Sequence, residues 1–214
     1  QALKALLFTT IPMAIGMSFL STPIWTIFYG YDALSIHIFQ LYIFQTISFS
    51  FSTVLINVVQ SLSHPKLAMG TLLGSFLAKM LLNVPMMHLF YRVGIPAYYA
   101  PIATTFLTQS CVALFLLWKL KQYYQVKYLE TVRVFIKTIL TTGCMVAVLC
   151  ILELFVPVMT QGRFEAILIT ALYTIIGGIV YFFFAYQGKL TNNVFGNYFF
   201  TSIYTRIFPK RKKT

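Results

Sequence analysis

The sequence predicts an all-α, polytopic membrane protein with six transmembrane helices. Of its 214 residues, 59% are hydrophobic and only 9% are charged. Soluble domains carry about 25% charged residues. The apolar residues gather in six runs, each long enough to supply the ~20 residues that cross a bilayer. Between the runs lie short segments rich in Gly, Pro, Asp and Lys, which end helices.

The first span covers 6–29. Pro12, Gly16 and Pro23 fall inside it and invite a bend that frees backbone carbonyls. The second, 34–62, follows Gly30-Tyr31-Asp32 and is longer than a bilayer requires, so it tilts or projects. The third, 67–91, follows Ser63-His64-Pro65-Lys66, and the fourth, 97–118, follows Val93-Gly94-Ile95-Pro96. A basic loop is expected over 119–131. The fifth and sixth spans, 132–156 and 165–187, are joined through Gln161-Gly162-Arg163. Residues 188–214 form a tail in which Tyr198, Phe199, Phe200, Tyr204 and Phe208 accompany Arg206 and Lys210-Arg211-Lys212-Lys213. Aromatics beside clustered cations suit the headgroup layer of an anionic leaflet, and the same cations also serve as topology determinants.

Orientation follows from the loop cations. With the N-terminus in the cytoplasm, thirteen Lys and Arg residues lie inside. Only Arg92 and Arg163 lie outside, and Lys79 is left within the membrane. Both ends are therefore expected to be cytoplasmic. The net charge of +12 is spread between apolar runs rather than over one face, so it is no footprint for nucleic acid. Cys111, Cys144 and Cys150 all fall inside apolar runs and behave as small hydrophobes rather than metal ligands or a disulfide pair. The chain starts without Met and its first span begins almost at once, so it reads as a piece of something longer.

Lys79 is the most informative residue. It lies roughly 20 Å into the third span, too deep to reach either surface of a ~30 Å core easily. A cation there costs at least ~2.5 kcal/mol on insertion scales. Thr71, Ser75, Lys79 and Asn83 repeat every four residues and share one helix face, with Gly70, Gly74 and Ala78 beside them as a close-packing edge. Thr46, Ser50, Thr53, Asn57 and Gln60 form a second polar stripe on the second span, and Thr104, Thr105, Thr108 and Gln109 lie on the fourth. The centres of the fifth and sixth spans are almost wholly apolar. Spans one to four are therefore expected to border a polar cavity, with five and six as a lipid-facing addition. The candidate substrate-binding residues are Lys79, Asn83, Ser75, Asn57 and Gln60. The alternative for the Ser, Thr, Asn and Gln residues is interhelical hydrogen bonding. For Lys79 it is an ion pair with Glu153.

No catalytic constellation is evident. The acids are Asp32, Glu130, Glu153 and Glu165, and His37, His64 and His88 are scattered. There is no Ser/His/acid set, phosphate-cradling glycine loop or potassium-filter segment. The chain reads as a non-enzyme with no cofactor and no metal.

Ordered landmarks carry a family resemblance. They are Pro12, Gly16, Pro23 and Tyr29-Gly30; Asn57, Gln60 and Pro65-Lys66; Gly74, Lys79 and Asn83; and Gly94-Ile95-Pro96 with Pro101 and Thr104-Thr105. Over essentially its whole length the chain resembles lipid II flippases of the MurJ type and their SpoVB- and YtgP-like relatives. These belong to the multidrug/oligosaccharidyl-lipid/polysaccharide exporter superfamily. The resemblance implies helices nine to fourteen of a two-lobed, MATE-like transporter in a bacterial cytoplasmic membrane. Residues 1–118 would complete the C-terminal lobe, and 132–187 would be two added helices forming a hydrophobic groove. It implies alternating access, with a lipid-linked saccharide pyrophosphate attracted by Lys79. Asn57, Gln60, Ser75 and Asn83 would bond its headgroup or line its water. The remaining lobe would be a partner, and membrane lipids would meet the basic tail. The alternatives are an exporter of another undecaprenyl-linked unit (capsule, O-antigen or teichoic acid) or a non-transporting scaffold of cell-wall synthesis.

Overall fold

The computed structural model describes residues 2–125, 128–158, 162–188 and 190–195. Lys127, Lys189 and the basic aromatic tail expected to meet anionic lipid lie outside the described residues. The described chain is all-α. The helices are α1 (Ala2–Phe19), α2 (Ser21–Tyr29), α3 (Ala33–Ser61), α4 (Pro65–Val93), α5 (Ala100–Tyr124), α6 (Leu129–Glu153), α7 (Arg163–Gln187) and α8 (Leu190–Phe195). A single 3₁₀ turn, Ala97–Tyr99, leads into α5. Six of these segments are long and apolar enough to cross a membrane.

Local chemistry sets most of the boundaries. Asp32 caps α3: its carboxylate accepts the Ser35 N–H at 3.3 Å and also the Ser35 hydroxyl. Those bonds favour the charged form, the hydroxyl most, and hold the Asp32 carboxyl below its ordinary range. Pro65 opens α4 at a position where a missing N–H costs nothing. Gly94 closes α4 in the left-handed region (φ 80°), which glycine adopts without strain.

Two expected boundaries move. The first span is not continuous but breaks at Leu20. Pro23 has no N–H for the Phe19 carbonyl and its ring crowds that group, so the helix restarts one residue on. Among its described residues, the expected loop 119–131 is mostly helical. Lys119, Lys121 and Gln122 are good helix formers, and α5 runs on to Tyr124 before Gln125 turns left-handed (φ 49°).

The helices pack as a series α4–α5–α3–α1–α6–α7, with α2 lying against both α3 and α7. This order produces two apolar cores. One joins Leu55 and Val59 of α3, Ala68 of α4, and Val112, Leu116 and Leu120 of α5. The other joins Phe8 of α1, Met145 and Leu149 of α6, Tyr173 and Tyr181 of α7, and Leu190 of α8. Helix α1 is the shared wall between them.

The α3–α5 contact is polar at its centre. Ser52 is fully buried and donates to the Gln109 carbonyl at 2.7 Å, while the Ser48 and Ser110 hydroxyls meet at 3.1 Å. At the end of the bundle where α1 begins, Lys4 pairs with Glu130 at 2.5 Å, the one ion pair among the described residues. Lys137 donates to the Gly188 carbonyl at 3.1 Å, placing a cation at the C-terminus of α7 where the helix dipole favours it.

Candidate functional site

The face of α4 that carries Lys79 is its packed face. Thr71, Ser75, Lys79 and Asn83 are all half-buried. Around the rest of the helix Met69, Leu73, Phe76, Leu77, Met80 and Leu81 are exposed, and Ala68 is the single buried residue of α4. The stripe therefore faces the neighbouring helices α3 and α5, and the apolar side looks away from the bundle.

The polar groups on this stripe are differently engaged. Thr71 donates to the Leu67 carbonyl at 2.6 Å and Ser75 to the Leu72 carbonyl at 2.7 Å. Both protons are used within the helix, so these oxygens remain as acceptors. Thr104 of α5 donates to Asn83 Oδ1 at 3.3 Å while also bonding the Ala100 carbonyl at 2.6 Å, tying α4 to α5. Lys79 makes no ion pair or hydrogen bond among the described residues. Glu153 is not its partner. That carboxylate is exposed at the last residue of α6, which packs on α1, α7 and α8 rather than on α4.

The five candidates do not form one cluster. Lys79 lies about 21 Å along α4 from Pro65, whereas Asn57 lies only about 6 Å from the end of α3 at Ser61. Measured from the turn they share, the two residues differ by about 15 Å in depth. Asn57 and Gln60 are exposed near the turn, while Lys79, Ser75 and Asn83 sit near mid-helix. The part of α3 level with Lys79 is the turn around Thr46 to Ser50.

That region holds a residue the sequence reading passed over. Gln45 is 8% exposed and its Oε1 has no hydrogen-bond partner. It shares its face with Ser48 and Ser52, at spacings of three and four.

A second feature is an apolar cavity of about 480 Å³ between α1, α2, α6 and α7. Pro12 and Gly16 of α1, Ile24 of α2, Leu149 of α6, and Gly177 and Phe182 of α7 contribute to its wall. Gly177 faces Leu149 across the α6–α7 contact, where a Cβ would stand at an ordinary contact distance of 3.6 Å from the Leu149 methyls. Two tyrosines of α7 brace the surrounding segments. Tyr173 donates to the Val156 carbonyl at 2.5 Å, and Tyr181 donates to the Phe8 carbonyl at 2.6 Å. The second bond follows from the sequence of α1. Phe8 is four residues before Pro12, which has no N–H to offer that carbonyl. A hydroxyl from the neighbouring helix supplies a donor instead.

Cys111, Cys144 and Cys150 are free and exposed on their helices. Among the described residues no group of His, Cys, Asp and Glu is placed to hold a metal ion.

No family model matches the chain, and no solved structure matches it. The chain is similar to the lipid II flippase MurJ of Bacillus subtilis (strain 168), with 27% identity over 203 residues. The match takes in 92% of this chain and 36% of the relative. The chain thus spans about a third of that relative's length.

Proposed function

We propose that the chain is the C-terminal part of a flippase for a lipid-linked precursor, with lipid II as the substrate. One observation carries this reading: a likeness to a lipid II flippase that runs through 92% of the chain. Two structural features support it. A cation without a partner among the described residues sits half-buried at mid-helix. An apolar cavity lies across α1 from the core that α4 helps to build.

In this scheme the pyrophosphate of the substrate is drawn to Lys79, and Ser75 and Asn83 offer hydrogen bonds beside it. Phosphate needs a positive, polar surface, and a water-filled cavity lowers the cost of the charge. The polyprenyl tail stays among apolar residues, with the cavity between α1, α6 and α7 as its seat. The remaining part of the protein closes the site, and rocking of the two parts about it exposes the headgroup to either side. Asn57 and Gln60, set nearer the turn, belong to the entrance rather than to the centre.

The test is transport by the full-length protein in proteoliposomes containing fluorescent lipid II. Time-dependent appearance of the headgroup on the opposite leaflet is expected. Transport of a different undecaprenyl-linked glycan but not lipid II would transfer the reading to that substrate. Absence of flux for every such lipid would remove it.

The scheme also places both ends of this chain in the cytoplasm. In full-length protein lacking native cysteines, Tyr31→Cys is expected to react with an impermeant maleimide added to whole cells. Ser63→Cys is expected to react only after permeabilisation. The reverse pattern would invert the topology.

A further inference from the structure

The end of the bundle formed by the α3–α4 turn and the last turns of α5 carries a cluster that the transport scheme does not use. Lys119 Nζ stands 4.8 Å from the Trp118 ring centroid and 5.7 Å from that of Tyr123, in cation–π range of both. Its contact with Gln122 Oε1 is long, at 3.5 Å, so its donors remain largely available. The His64 ring stacks on Tyr123 at 5.4 Å and meets Tyr124 edge-on at 6.3 Å. Tyr124 in turn donates to the Leu62 carbonyl at 3.2 Å, fixing the end of α5 against the turn. Beside these groups is a narrow apolar crevice of about 10 Å³, walled by Leu67, Leu120 and the rings of His64, Tyr123 and Tyr124. Lys66 stands exposed at the start of α4, next to His64, and Lys121 is exposed on another face of α5.

Three points single this cluster out. First, it is positive and lacks a counter-ion. Lys66, Lys119 and Lys121 make no ion pair among the described residues, and Glu130, at the nearby start of α6, is held by Lys4. Second, it is at the right depth. The span Ala97–Tyr124 has 28 residues, about 42 Å of helix against a ~30 Å core, so its final turns reach the headgroup layer. Third, it is built rather than merely charged. Lys119 is half-buried against two rings, and one of them, Tyr123, is stacked in turn on His64.

We infer that this cluster is a binding site for the phosphate of an anionic phospholipid in the surrounding leaflet. Trp118 and Tyr123, both more than half exposed, would lie against the upper acyl chains and glycerol. Lys119 would meet the phosphate between them, with Lys66 and His64 closing its edge. A lipid bound here sits on the α3–α4 hairpin that carries the candidate substrate cation. The inference does not depend on which glycan the protein moves.

The experiment uses the full-length protein in nanodiscs, with every other tryptophan, Trp25 included, changed to phenylalanine. Quenching of Trp118 by brominated phosphatidylglycerol is compared with quenching by brominated phosphatidylcholine at equal mole fraction. A preference for the anionic lipid is expected. Lys119→Ala should weaken it about fivefold, in line with the contribution of one surface lysine. Lys119→Arg should retain it, and Lys137→Ala, remote from the cluster, should not change it. Matched melting temperatures of the variants separate loss of the site from loss of fold. Equal quenching by the two lipids would overturn the proposal, as would a preference that survives Lys66→Ala, Lys119→Ala and Lys121→Ala combined. Loss of the preference in inorganic phosphate, but not in chloride of the same ionic strength, would assign the site to free phosphate and overturn the lipid assignment.

Discussion

In the full-length protein, Lys79→Ala is expected to abolish complementation of a flippase-depleted strain while leaving membrane levels unchanged or raised. The two halves of this expectation have separate causes. Removing the cation removes an insertion cost of at least ~2.5 kcal/mol, so the protein should assemble no worse. Under the proposed function it also removes a charge-assisted bond to the pyrophosphate, worth about 1.5–3 kcal/mol, which corresponds to roughly a ten- to hundredfold loss of flux. Lys79→Arg keeps the charge and should retain a measurable fraction of activity. Glu153→Gln should affect neither level nor flux, because α6 does not pack on α4. Full complementation by Lys79→Ala would end the substrate role for this residue. Equal damage from Glu153→Gln would revive the ion pair.

The six spans were legible because hydropathy over twenty residues is a strong signal, and turn chemistry at Asp32, Pro65 and Gly94 sharpens their ends. The break at Leu20 was half legible. Pro12 and Pro23 both announced a disturbance in the first span, but only packing decides which is absorbed. Pro12 is tolerated inside α1, with Tyr181 supplying a hydroxyl to the Phe8 carbonyl, whereas Pro23 ends one helix and begins another. Helix α5 outruns the expected span because Lys119 and Lys121 continue the helix rather than end it. In fact a long helix carries them out of the lipid, and their apolar stems need not leave it. Helical spacing puts Ser75, Lys79 and Asn83 on one face of α4, and all three are half-buried there. It also invited the pairing of Lys79 with Asn57 and Gln60, because spacing gives the face of a residue but not its depth. Gln45 escaped for a related reason. Thr46 and Ser50 mark a polar stripe at helical spacing, while burial of the neighbouring face that holds Gln45 is a tertiary fact.

The clasp between Tyr181 and Phe8 yields a result that a simple loss of contact would not. Tyr181→Phe removes a buried hydroxyl donor from a carbonyl that faces the Pro12 ring, and is expected to lower stability by about 1–2 kcal/mol. Pro12→Ala restores an N–H at the position where an α-helix would bond that same carbonyl, so by itself it should be close to neutral. In the Pro12→Ala background Tyr181→Phe should then cost clearly less, giving a coupling of about 1 kcal/mol between residues on different helices. Unfolding of the full-length protein in detergent, followed for all four members of the cycle, measures this directly. Equal costs in both backgrounds would show that Tyr181 acts through packing alone, against Phe8 and the rings beside it. A positive coupling means that α1 has given up a backbone bond of its own and takes one from α7. The two walls of the apolar cavity would then be joined at the point where α1 is weakest.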